Sequence, residues 1–324
     1  MSDFLTLMQL KNLMEPGDAA IAGVAEVLAE ENDILADVPF TRGNLLTGDR
    51  HMVRAAMPSA TKRKINEGVE PSTSKTEPHE DTCIELTSRG VVDMRVLDIT
   101  PDKAKLLLSE NKPHIAVLGE DFADELFYGN DANGIRGFAT RLGSLKTPQV
   151  IDARGVGDNL ASIYFIKWDS EEVTGIYPKN ATAGLQVNNQ ANVYVAESKA
   201  NPTKTFRAHV SDYSWFVGLK LRDIRYVSRV ANIDRDTIPN DEALQQKLFE
   251  QMIQAKNKIR HVSNGRVVCY VDPNMYSWLE VAAFKKSNLN LGYKEIQGDM
   301  RMLSFAGIPI RQNDCQSKKE PRVS

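Results

Sequence analysis

Two serine–lysine pairs stand at a spacing that a serine nucleophile and its base can use: Ser59 with Lys62, and Ser72 with Lys75. That chemistry works when the serine opens a helix and the lysine lies one turn on. Both pairs fall in polar, turn-rich sequence, which reads them as loop residues. A phosphate cradle is suggested by Gly155-x-Gly157 after Val150-Ile151. The third glycine of a dinucleotide fingerprint would fall at Leu160, however, and a strand rather than a helix follows. His79, Glu80, Asp81 and Cys83 gather metal-ligating types, but without HExxH, Cys-x-x-Cys or paired-histidine spacing, so they read as a solvated loop. Lys62-Arg63-Lys64 is basic, yet Glu67, Glu70 and Glu77 follow closely. A surface hairpin or intersubunit salt bridges account for it better than a nucleic-acid groove. No catalytic, cofactor-binding or metal-binding residue is assigned, and no cofactor is expected.

The elements around these residues centre on Pro113 to Gly129. Ile115, Leu118, Phe122 and Leu126 recur every three or four residues, while Glu120, Asp121, Asp124 and Glu125 take most of the other side. That is an amphipathic helix, with glycine as its stop. Thr100-Pro101 opens a shorter helix to about Ser109, and Pro113 predicts a bend between the two. Asp241 to Arg260 is a second clear helix, capped at Asn240, with Leu244, Leu248, Met252, Ala255 and Ile259 on one face.

Strand character runs over Cys83–Ile99 and through 150–235, notably at 162–168, 192–196, 206–210, 216–221 and 225–231. It returns at 266–271 and 304–310, and Asp272-Pro273 opens a helix between them. Residues 2–15 and about 19–35 read as amphipathic helices with too little to pack on alone. From Asp37 to Asp81 apolar residues are sparse. This stretch reads either as a disordered loop or as an extended arm ordered by other chains. Residues 316–324 are polar and expected to fray.

Composition narrows the class. The 324 residues carry 40 Lys and Arg against 43 Asp and Glu, a net charge of −3. That balance excludes a strongly basic sequence reader of nucleic acid. No run of eighteen apolar residues offers a membrane span, and the first residues lack the features of a secretory signal. Three cysteines, an odd number and far apart, argue against a disulfide framework and fit a reducing cytoplasm. An extended polar arm, N-terminal helices in need of a partner and no active-site constellation together favour an assembly protein.

Seven stretches in one order then carry a resemblance: residues 32–50, 66–72, 125–130, 175–179, 183–186, 218–234 and 307–311. Together they resemble the major capsid proteins of tailed bacteriophages, in the gp7-like group known from short-tailed phages such as epsilon-fifteen. The resemblance implies an α+β, Hong-Kong-97-type fold. Residues 1–36 would be the N-terminal arm and 37–81 the extended loop with its flanks. Residues 82–135 and 205–238 would form the peripheral domain with its spine helix, and 136–204 and 239–324 the axial domain. It implies hexamers and pentamers of one chain closing an icosahedral shell around double-stranded DNA, assembled in the host bacterial cytoplasm. A separate scaffolding protein, a portal and a cement protein are the implied partners. The strands carrying Arg222, Arg225 and Arg229 precede the 241–260 helix and Gly307-x-Pro309, the reverse of the common order of this fold. A rearranged, non-circularly permuted connectivity is therefore expected, with 216–231 paired to 83–99 and the chain ending in the axial domain. An encapsulin-type nanocompartment shell is the alternative, and a soluble enzyme of another class the outsider.

Overall fold

Two β-sheets meet at one long helix in the structure, a computed structural model describing residues 33–130, 132, 134–198, 201–260, 266–283, 291–295 and 301–324. The expected helices at 2–15 and 19–35 lie outside the described residues, apart from a short helix α1 (Asp33–Asp37). The first sheet runs β1 (Phe40–Arg42), β6 (Val173–Tyr177), β8 (Asn201–Leu221), β3 (Lys75–Asp93) and β2 (Gly48–Ala56). A further strand, β7 (Gln186–Ser198), pairs with β8. The second sheet runs β11 (Leu291–Glu295), β12 (Arg301–Phe305), β13 (Ile308–Gln312), β10 (Arg266–Val271), β5 (Leu160–Trp168), β9 (Val227–Asp234) and β4 (Val150–Asp152).

The long helix α3 (Lys103–Tyr128) lies on β3 and β8. Ile115, Leu118, Phe122 and Leu126 are all buried, as their spacing requires. Two expectations about it are corrected. The cap is Asp102, whose carboxylate accepts from Lys105 N, and Pro113 sits inside one continuous helix. Thr100 instead ends a short helix, α2 (Met94–Ile99), which replaces the last part of the strand expected over 83–99. Asp93 turns strand into helix there by accepting from Arg95 N at 2.8 Å. Upstream, the polar turn-rich stretch 70–81 is largely strand. Residues 75–82 of β3 pair with β2, which leaves Pro78 opposite Met52 on a two-stranded ribbon where its missing N–H costs little.

The two faces of β5 explain its nearly all-apolar sequence. Tyr164, Ile166 and Trp168 join a core with α3 and the first sheet, while Ile163 and Phe165 join a second core. That second core lies under α5 (Glu242–Lys258) and α6 (Pro273–Ala283); a four-residue helix, α4 (Phe138–Arg141), belongs to the first. The cap of α5 is Asp241, one residue later than Asn240, because its carboxylate accepts from both Ala243 N and Leu244 N. Phe127 ties the first core together, with ring centroids 5.1 Å from Tyr164, 5.8 Å from Phe138 and 6.0 Å from Tyr270.

Strand pairing redraws the expected domain boundaries. Cys83 pairs with Gly218 and Glu85 with Phe216, so residues 216–218 do lie against 83–85. Residues 227–231, however, belong to the second sheet beside β4 and β5, because Val227, Val230 and Ala231 are needed to fill cores on both its faces. Residues 173–198, expected with the axial block, pair instead with β8. The C-terminal strands β12 and β13 are in the second sheet.

The tail is the clearest departure. Residues 316–324 are docked rather than frayed. Asn232, at a positive φ of 59°, offers its side-chain amide like a strand edge: Nδ2 donates to Val323 O at 3.0 Å, and Oδ1 accepts from Val323 N at 2.8 Å. Val323 and Glu320 are buried.

Candidate assembly surfaces

The ribbon of β2 and β3 leaves the body as a hairpin whose tip, residues 57–74, is exposed throughout. Met57, Ile65 and Val69 are 61%, 90% and 53% exposed, so the tip's few apolar side chains have no core in their own chain. Ser59, Lys62 and Ser72 are all on this tip and Lys75 begins β3. Ser72 Oγ donates to Ser59 O at 2.9 Å, closing the loop rather than facing a lysine. Lys62, Arg63 and Lys64 project from the same loop, exposed.

The root of the hairpin is fixed by charge. Asp49 receives Lys220 Nζ at 2.8 Å, and Asp81 receives Arg141 Nη2 and Leu221 N. His51 lies between them, its Nδ1 3.8 Å from a carboxylate oxygen of each aspartate. Burial holds its imidazole below the usual value, against the pull of Asp81. Gly48 is required here, since a Cβ would stand 2.0 Å from Asp81 O. Of the sequence candidates for metal binding, His79 stacks near His51 at 6.4 Å and Cys83 faces the Ile176 carbonyl. Among the described residues no group of three or more His, Cys, Asp or Glu side chains is placed to hold a metal ion. Burial, with Asp49 and Asp81, pushes the Cys83 thiol up to about 12.

Gly155 and Gly157 serve packing. Gly155 N donates to Asn232 O at 2.8 Å, and a Cβ on Gly157 would meet the Asp234 carboxylate at 2.9 Å. A carboxylate at that distance opposes a phosphate. The loop borders a cavity of about 210 Å³ with Asp234, Lys247 and Gln251.

Two further ionic clusters were not readable from spacing. Asp37 at the end of α1 is ion-paired with Arg311 at 2.8 Å and with Arg266, and it accepts from Tyr270 Oη at 2.9 Å. Burial still pushes its carboxyl up. Glu320 in the tail meets Arg229 Nη2 at 2.8 Å, accepts from Tyr128 Oη at 2.8 Å and also from Ser162. Arg229 carries the third of the arginines singled out in the sequence, and its partner lies 91 residues away.

A groove of about 750 Å³ runs beside the hairpin root, between β2 and the segment 221–225. Among the described residues, Arg136, Arg141, Arg222, Arg225 and Arg260 line it together with Glu172 and Asp223, and Arg141 is already paired with Asp81 at the hairpin root.

The family model for "Major capsid protein GP7" matches residues 16–324. The chain belongs to the GP7 major capsid protein family. A solved capsid chain of bacteriophage Epsilon15 is similar at 25% identity over 86% of this chain and 85% of that one, with a TM-score of 0.65. The bacteriophage JBD30 capsid aligns at 11% identity over 86% and 88%, TM-score 0.49. An encapsulin from Synechococcus elongatus PCC 7942 aligns at 10% identity over 62% and 87%, TM-score 0.41, which is too low to argue from. No curated protein sequence matches the chain. This major capsid protein is thus a structural component of a virion with a Hong-Kong-97-type fold, built to assemble with itself into a shell, and is not an enzyme. Among the described residues no helix is long and apolar enough to cross a membrane.

Proposed function

We propose that this capsid protein forms the hexamers and pentamers of an icosahedral shell around double-stranded DNA, and that its β2–β3 hairpin is the extended loop that overlaps the next copy. The observation that carries this reading is the tip at 57–74, which exposes Met57, Ile65 and Val69 while the body keeps two complete cores without it. In this reading the peripheral domain is the first sheet with α3. The axial domain is the second sheet with α5 and α6, and residues 1–36 form the arm. The strand order, with the chain ending in the second sheet, supports a rearranged connectivity of the fold. The small net charge of −3 suits a container, because a strongly basic wall would retain the DNA it must release. Scaffolding, portal and cement proteins, and assembly in the host cytoplasm, belong to the same reading.

The test replaces residues 58–73 by a two-residue Asn-Gly turn. Expressed alone or with the neighbouring head genes, the variant should keep the wild-type circular dichroism spectrum and form no shells in electron micrographs. Shells of normal size and yield from this variant would refute the assignment of the hairpin.

A further inference from the structure

The arginine groove and the acidic side of α3 match each other and do not meet within one chain. The groove is not purely basic: Met52 and Met57, 52% and 61% exposed, and Ile224, 36% exposed, form apolar walls beside the arginines. The phosphate backbone of duplex DNA offers charge but no apolar partner for such walls. A protein segment with acidic and apolar side chains on one face offers both.

α3 presents such a face. Val117 is 48% exposed, and Glu120, Asp121 and Asp124 follow it at i+3, i+4 and i+7, one side of a helix. Leu118 and Phe122 point the other way, into the core. Asp124 is paired with Lys318, but among the described residues neither Glu120 nor Asp121 forms a side-chain ion pair. No residue of α3 lines the groove, nor does the 314–318 segment beside the acidic face. Among the described residues the two surfaces do not meet, and a second copy of the chain would supply each with its partner.

We propose that the groove of one copy seats the 117–124 face of α3 of a second copy, with Arg222 and Arg225 against Glu120 and Asp121, and Val117 against Met57 and Ile224. Arg222 and Arg225 are the appropriate pair because both are exposed and sit at the groove's floor segment. Arg225 already holds Asp223 through Nε and Nη2, which fixes its guanidinium plane for a second carboxylate. This inference rests on the shell reading above, since it requires a second copy.

The test is a charge swap measured on shell yield. Arg222→Glu with Arg225→Glu, and separately Glu120→Arg with Asp121→Arg, should each lower yield by roughly tenfold or more, the scale of like charges brought together at an interface. Combining all four changes should restore most of it. As a second measurement, Val117→Cys with Ile224→Cys should give disulfide-linked multimers on non-reducing gels, from shells and not from free subunits. All substituted positions are at least partly exposed, so folding is checked by circular dichroism. Wild-type yield from either charge-reversed pair, or well-formed shells without the cross-link, would overturn the proposal while leaving the hairpin-replacement result standing. Normal shells with lost binding of double-stranded DNA would overturn it too and assign the groove to phosphate. Wild-type protein that forms no shell under any condition would instead strike the reading beneath.

Discussion

Glu320 gives the sharpest test of how the chain is closed. Its side chain and that of Arg229 are each only 3% exposed, and the pair is 2.8 Å apart. Arg229 also donates to Ser162 Oγ at 2.9 Å and to Leu142 O at 3.0 Å. Glu320→Ala leaves a buried guanidinium without its counter-charge and removes the acceptor for Tyr128 and Ser162. Breaking a buried pair from one side costs about 3–5 kcal/mol. Two positions away, Lys318 pairs with Asp124 on the surface, its side chain 60% exposed. Lys318→Ala should cost less than about 1 kcal/mol. The joint replacement Arg229→Met with Glu320→Leu removes both charges, and should cost clearly less than Glu320→Ala alone, within about 2 kcal/mol of wild type. Urea unfolding of unassembled subunits, followed by tryptophan fluorescence, measures all three. If Glu320→Ala costs no more than Lys318→Ala, the tail is not held by this pair and the argument fails.

Three other outcomes follow from particular groups. His51 is held below its ordinary value of 6.5 by burial, so the unfolded chain takes up that proton at higher pH than the folded one. Its contribution to stability is full above 6.5 and declines as pH falls below it, and His51→Gln should flatten the unfolding midpoint between pH 7 and 5.5; equal slopes would contradict this. Burial pushes Cys83 and Cys315 up to about 12, so at pH 8 native thiols should react with a disulfide reagent much more slowly than in denaturant. Fast native labelling of either would refute it. Pro113→Ala should restore an N–H inside α3 and raise stability by about 1–3 kcal/mol, since proline is disfavoured by about 3 kcal/mol in a helix interior; a loss of stability would show that the proline shapes the helix.

What could be read from the sequence was what local spacing encodes. The buried face of α3, the apolar face of α5 and the strands at 162–168 and 266–271 all follow from periodicity and run length. What escaped depends on partners distant in sequence. Residues 75–81 look like turns because they are polar and contain Pro78, yet β2 supplies the pairing that makes them strand. The tail looks like a frayed end because only Val323 is apolar, yet Arg229 and Asn232 are waiting for Glu320 and the 323 backbone. Residues 225–231 look like a continuation of β8, but the short helix at Ile224–Tyr226 turns the chain into the other sheet. The arginine groove has no sequence signal, because its five arginines are gathered from three separate segments.

The three ionic clusters share a position in the fold. Asp37 joins α1, where the chain enters from the N-terminal region, to the second sheet; Asp49 and Asp81 join the hairpin to the body; Glu320 joins the tail to β5 and β9. A buried ion pair adds little net stability over an apolar contact of the same volume, but it is costly to break and tolerant of only one geometry. An apolar joint can slide and repack at small cost. In the proposed reading, where the hairpin overlaps the next copy, the direction in which it leaves the body decides which copy it reaches. Charge at those joints fixes direction, while the two apolar cores supply stability. The joint Arg229→Met and Glu320→Leu variant separates the two roles: it should unfold near wild-type denaturant concentrations yet lose amide-exchange protection over residues 320–324, and unchanged protection there would mean that packing alone sets where the tail lies.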